Sequence, residues 1–211
     1  MVIEGKNNTS FTVSCTEEAY SLSITASNNC CPLYLISGKQ IVTKERLEVL
    51  ALACECDFPE GRRMEETVRL VIERGAIPVI PWGFGKWYGR RAGILREFLD
   101  ISMDSSNVFL GDNSGRPSFL PTPAHFRIGK EKGIRILPGS DPLPFSSEST
   151  RAGSFGFTVR GSIRRERPGE DIKKILLDPD TIPSPFGSLE TPYRFMKNQI
   201  SMQILKLKNP H

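Results

Sequence analysis

The first fifty residues carry short alternations of apolar and polar positions, the pattern of half-buried strands. Three such segments are Ser10-Phe11-Thr12-Val13-Ser14, Tyr20-Ser21-Leu22-Ser23-Ile24-Thr25 and Leu33-Tyr34-Leu35-Ile36, with the turn-forming pair Asn28-Asn29 separating the second from the third. The pattern then changes. Leu47-Glu48-Val49-Leu50-Ala51-Leu52-Ala53 is a nearly continuous apolar run, as in a strand covered on both faces. Over residues 60–74, Met64, Val68, Val71 and Ile72 share one helical stripe that stops at Gly75. Ile77-Pro78-Val79-Ile80-Pro81 follows as the next strand.

The cycle repeats through a helix over 91–101, a strand over 107–110, a helix between Thr122-Pro123 and Gly133, and a strand over 134–137. At roughly thirty residues per unit, this alternation predicts an α/β chain built as a curved parallel sheet or an incomplete (β/α) barrel. A Ser-rich loop over 142–150, a strand over 156–159, a helix over 169–177 and a last helix opened by Thr191-Pro192 complete the reading. One domain is expected: extended strands over 1–36, core strand–helix units over 37–160 and mainly helices over 161–211. No heptad repeat is evident.

Composition changes this picture little. A hydrophobic share of 38%, a charged share of 25% and a net charge of +4 suit an ordinary globular domain. The charge is spread along the chain, so a small anionic ligand is a better expectation than nucleic acid. No apolar run approaches the roughly 18 residues of a membrane helix, and the first residues lack the apolar core of a secretion signal. Five cysteines without regular spacing fit a reducing, cytoplasmic setting. Cys54 and Cys56 could form one corner of a zinc site, but a second ligand pair is lacking, since the only histidines are His125 and His211.

In parallel α/β architectures ligands meet the loops that leave the strand ends. Those loops carry Glu55, Asp112 and Asp141 as candidate catalytic carboxylates, with Asp141 and Asp112 also able to ligate a divalent metal. The plainer reading of each aspartate is a loop or helix cap. The segment 82–91 joins glycines at 83, 85 and 89 to Lys86 and Arg90, a composition suited to a phosphate or carboxylate ahead of a helix. Trp82 and Trp87 could wall that pocket or simply pack. Asn113 and Arg151 complete the candidate substrate-binding set, Arg151 as an anion donor.

Three stretches resemble the PHP (polymerase and histidinol phosphatase) family: Ser37-Gly38-Lys39-Gln40-Ile41-Val42 with the run that follows it, the segment from Glu66 to Trp82, and Gly139-Ser140-Asp141. The resemblance implies a distorted, TIM-barrel-related fold and a phosphoesterase dependent on Mn, Zn or Mg. The motifs diverge at the metal positions, where Gln40, Glu48, Pro81 and Pro142 stand in place of family ligands and only Asp141 matches. The family's opening His-x-His strand has no counterpart, which implies a start truncated relative to the family. Two expectations follow: a divergent hydrolase of phosphate esters or related anions, or a catalytically silent domain that binds a ligand or partner. An incomplete barrel would expose strand edges, so a homodimer covering them is also expected.

Overall fold

The computed structural model describes residues 2–4, 9–29, 31–101 and 107–208; Cys30 and His211 lie outside them. The chain begins with β1 (Val2–Glu4), β2 (Ser10–Cys15), β3 (Ser21–Ala26), β4 (Leu33–Ile36), β5 (Gly38–Val42) and β6 (Glu48–Leu52). It continues through α1 (Met64–Glu73), β7 (Ile77–Pro81), α2 (Arg90–Asp100), β8 (Phe109–Asn113), α3 (Ala124–Glu131) and β9 (Arg135–Gly139). A 3-10 helix (Ser146–Arg151), β10 (Phe155–Thr158), α4 (Pro168–Leu177), β11 (Ser184–Gly187) and α5 (Pro192–Lys208) complete it. Two compact units result: residues 1–79, 106–108 and 159–181 form the first, and residues 80–105, 109–158 and 182–211 the second.

In the first unit, β1 to β4 form an antiparallel sheet in sequence order. The three alternating segments of the sequence become β2, β3 and β4. β5 and β6 then make an antiparallel hairpin, with Val42 opposite Glu48 and Gly38 opposite Leu52. Its turn is closed by the Thr43 N–H bonded to the Leu47 carbonyl (2.9 Å), with Arg46 at φ 60. Val49 and Ala51 of β6 are completely buried, and α1 covers this sheet with Met64, Val68 and Val71. Burying each of those three side chains stabilises the unit by about 1.5–3 kcal/mol. No side chain of the preceding residue caps α1; the Glu45 carboxylate instead accepts the Met64 N–H at 3.1 Å.

The predicted (β/α) barrel is not formed. The largest sheet is open, in the order β5-β6-β7-β8-β9, and β6 and β7 pair antiparallel although a helix lies between them. The connection after β6 explains this. Leaving Leu52, the chain runs back along the hairpin, where the Gly61 N–H bonds the Val42 carbonyl (2.9 Å) and the Lys44 N–H bonds the Arg62 carbonyl (2.7 Å). Since Val42 pairs with Glu48, α1 starts at the opposite end of β6 from where β6 finished, and β7 returns against it. A crossover to a parallel neighbour needs a helix that itself runs back, and here the loop does that instead.

In the second unit, β8 and β9 are parallel and joined by a crossover containing α3. Phe109 and Leu110 are fully buried on β8, and Phe126 of α3 is buried too. Gly129 permits the close approach of this helix: a Cβ there would sit 2.8 Å from Leu110 Cδ1. β10 and β11 form a separate antiparallel pair in which Gly156 stands opposite Phe186, whose ring covers the missing side chain. β8 extends past the predicted strand over 107–110, so that Asp112 and Asn113 belong to the strand, opposite Pro138 and Gly139.

Candidate functional site

The carboxyl ends of β8 and β9 meet in the second unit and bring several of the predicted residues together. Asn113 donates from Nδ2 to the Trp82 carbonyl (2.9 Å) and to Asp141 Oδ2 (3.2 Å). Ser114 is buried, with its N–H on the Gly139 carbonyl (3.1 Å) and its Oγ on the Ser140 carbonyl (2.5 Å). The Ser140 hydroxyl in turn accepts the Gly153 N–H at 3.1 Å. Asp141 is exposed and adopts φ 40, a left-handed conformation that a carboxylate tolerates better than most side chains.

Asp112 faces other work. Its two oxygens accept Arg116 Nε and Nη2, both at 2.8 Å, in a forked ion pair that leaves either side chain about a tenth exposed. Arg151 is also committed inward. Its guanidinium reaches Glu148 (3.5 Å), Glu190 (3.1 Å) and the Ser114 carbonyl (3.2 Å). Arg194 of α5 closes the same group by binding Glu148 at 2.9 Å, and Asn198 adds a 3.4 Å bond to that carboxylate. Glu148 and Glu190 are buried acids that the sequence reading missed; only the arginines spaced around them hinted at partners.

The remaining candidates scatter. Glu55 is exposed and belongs to the first unit, while Asp112 and Asp141 belong to the second. Trp82 is buried, its backbone N–H bonded to the Gly111 carbonyl at 2.7 Å. Trp87 is buried edge-on to His125 and Phe126, and its Nε1 has no hydrogen-bond partner. The glycine-rich loop folds onto itself: Arg91 donates to the Gly85 carbonyl at 2.7 Å, and the Lys86 stem lies against Gly83. Arg90 projects from the start of α2 into solvent.

The residues do not fit the metal centre that the resemblance implied. Among the described residues, no three His, Cys, Asp or Glu side chains gather where they could hold an ion. Cys54 is buried with its thiol on the Ala51 carbonyl, and burial pushes that thiol up from its ordinary pKa. Asp112, one of the two proposed ligands, is already neutralised by Arg116.

A different concavity lies on the second unit. A groove of ≈ 790 Å³ runs between α3, the outer side of β9 and the β10/β11 pair, within the range of small-molecule sites. Phe126, Ile134, Ile136, Phe155, Pro183 and Pro185 give it apolar walls. Arg116, Arg127, Lys130 and Arg135 line it as cations, against the carboxylates of Asp112 and Glu131. Arg135 lies over the Phe109 ring, 4.8 Å from its centre, which fixes its stem. The Arg127–Glu131 contact is 4.0 Å long between largely exposed side chains, so it holds neither group firmly. Lys130 has no carboxylate within ion-pair distance among the described residues.

No protein family fits this sequence, and no curated protein or solved structure is similar to it. With no family match, an open sheet and no ligand cluster among the described residues, the PHP resemblance does not hold: its short Gly- and Pro-containing motifs are those of strand ends in general. The α/β character stands. No helix among the described residues is long and apolar enough to cross a membrane.

Proposed function

We propose that this chain is a ligand-binding protein whose second unit holds a small amphiphilic anion, a phosphate or carboxylate joined to an apolar body. The groove beside β9 supports the reading. It offers apolar walls for the body and an excess of cationic side chains for the head group. Lys130 and Arg127 stand at its exposed side, where a charged head group keeps part of its hydration. Binding without turnover is the favoured form of the proposal, because Asp112 is held by Arg116 and Arg151 by Glu148 and Glu190. A general base or an anion clamp needs groups that are not already satisfied.

Titration calorimetry with octyl phosphate and octanoate, with inorganic phosphate as the head group alone, tests this. Saturable binding of the octyl compounds, weakened about tenfold by Lys130→Glu and much reduced for inorganic phosphate, is the expected outcome. Absence of heat with both octyl compounds would sink the proposal.

A further inference from the structure

α5 is apolar on two sides. Phe195 and Asn198 are buried and fasten the helix to the second unit, where Phe195 meets Phe84 and Phe119 edge-on at 5.0 and 5.9 Å between ring centres. On the other side Tyr193, Met196, Ile200, Ile204 and Leu207 are all exposed. These five recur every three or four residues and so form one stripe along the helix. An uncovered apolar row of this length marks an interaction surface more often than chance exposure.

Spacing and charge identify what covers it. Tyr193, Ile200 and Leu207 are seven residues apart, Met196 sits three after the first, and Lys197 follows directly. Over two heptads, too short to stand out as a repeat along the chain, these are the a, d and e positions of a coiled-coil seam, with Gln203 at the second d position and Ile204 beside it. Such a stripe is narrow. A helix lying in a lipid interface needs a broad apolar face, and here the opposite face is already taken by the protein core. From Thr191 onward the sequence contains Arg194, Lys197, Lys206 and Lys208 and no Asp or Glu. Arg194 is committed to Glu148, so Lys197, exposed beside the stripe, sets the charge that a partner meets. A second copy of α5 would bring lysine against lysine, whereas acidic flanks would be matched.

We propose that α5 is the docking surface for an amphipathic helix of a partner protein, with apolar residues in its seam and Glu or Asp at the flanking positions. The probe is a labelled synthetic helix of three heptads with Leu at a and d and Glu at e and g, titrated with the full chain by fluorescence anisotropy. The same helix with Lys at e and g is the control. The Glu helix binds, the Lys helix binds about tenfold more weakly or not at all, and added salt narrows the difference. Ile200→Glu abolishes binding while the circular-dichroism melt stays unchanged, because Ile200 is exposed. Lys197→Glu, as a second variant, reverses the preference between the two helices. Failure of both helices to bind, or equal binding of both, overturns the proposal. So does sedimentation with phosphatidylserine vesicles without helix binding, which would make the surface a lipid contact. A concentration-dependent dimer lost in Ile200→Glu, again without helix binding, would assign the stripe to a second copy and overturn it equally.

Discussion

Glu18 caps a helix from a distant part of the chain: its carboxylate accepts the backbone N–H groups of Gly169, 151 residues further along (2.8 Å), and of Glu170 (2.6 Å) at the start of α4. Arg167, the residue before α4, supplies no side-chain cap, so the turn after β2 provides one in its place. Ser21 adds a 2.7 Å bond to the same carboxylate, and Tyr20 donates to it at 3.2 Å. Gly169 is required for the fit, since a Cβ there would lie 2.5 Å from the Tyr20 ring. Through this cap the first sheet and α4, distant in sequence, stabilise each other.

Glu18→Ala is therefore expected to destabilise the first unit by about 1–2 kcal/mol, the usual cost of removing a cap with a favourable charge. Urea unfolding followed by circular dichroism measures it. Gly169→Ala should also destabilise, although alanine normally favours helix, because the ring and the carboxylate leave it no room.

The same cluster sets both pH limits of this contact. Burial acts to raise the Glu18 pKa, but the bonds from Ser21, Gly169, Glu170 and Tyr20 outweigh it and hold the carboxyl below the usual range. A lowered folded-state value contributes stability above the unfolded pKa and loses it as pH falls through the folded one. Tyr20 moves the other way. Burial first, then the Glu18 charge, pushes its phenol up to about 12, so its contribution is complete below 10 and is lost as pH rises towards 12. Thermal melts from pH 2 to 12 should fall at both ends in the natural chain. Glu18→Gln should flatten the acid limb and lessen the alkaline one, and an unchanged acid limb would contradict the assignment.

Some of this was legible in the sequence and some was not. β7 was predicted residue for residue, because Ile77 to Pro81 is an apolar run bounded by Gly75 and Gly83. α1, α3 and α4 were legible from their stripes and punctuating Gly and Pro. The direction of β7 was not. It depends on where residues 61 and 62 bond to the β5/β6 hairpin, and no periodicity records that. β11 escaped because Ser184-Pro185-Phe186-Gly187 reads as a turn; it becomes a strand only when Phe186 covers Gly156. At the candidate site, Asn113 and Asp141 could be placed on one rim because each follows a strand predicted from the sequence. Glu148 and Glu190 could not, since a buried acid and a surface acid look alike until their arginines are located.

Gly187 marks the point where the β10/β11 pair is most easily broken. It adopts φ 86, and a Cβ would lie 2.1 Å from the Ser154 carbonyl oxygen. Both strain and collision fall on backbone, which cannot swing aside. Gly187→Ala should cost more than about 2 kcal/mol and weaken octyl phosphate binding, because this pair forms one wall of the groove. Gly156→Ala meets only the Phe186 ring, which can rotate, and should cost less. Parallel melts and titrations of the two variants check the order.

The group around Arg151 predicts a large and non-additive loss. Glu190 is almost completely buried and shares Arg151 with Glu148, so Glu190→Ala leaves a cation short of one partner in a poorly hydrated place. Breaking a buried pair from one side costs about 3–5 kcal/mol. Adding Arg151→Met to Glu190→Ala should cost less than the sum of the single losses, because the stranded charge is gone. Denaturant unfolding of the two single variants and the double variant closes the cycle, and strict additivity would show that the two residues do not act as a pair.

Asp112→Asn separates the structural and chemical roles of that carboxylate. As the forked partner of Arg116, Asp112 holds a buried cation, and its loss should lower stability by about 3 kcal/mol or more. It also lines the groove, so removing its charge leaves the four cations there opposed by Glu131 alone. Anion binding should then tighten, by about a factor of 3 for octyl phosphate, as stability falls. A carboxylate serving as general base or metal ligand predicts the reverse: little change in the melt, and lost turnover of a phosphate ester in the presence of Mn²⁺ or Zn²⁺. The two readouts therefore move in opposite directions under the two roles, and measuring both on one variant decides between them.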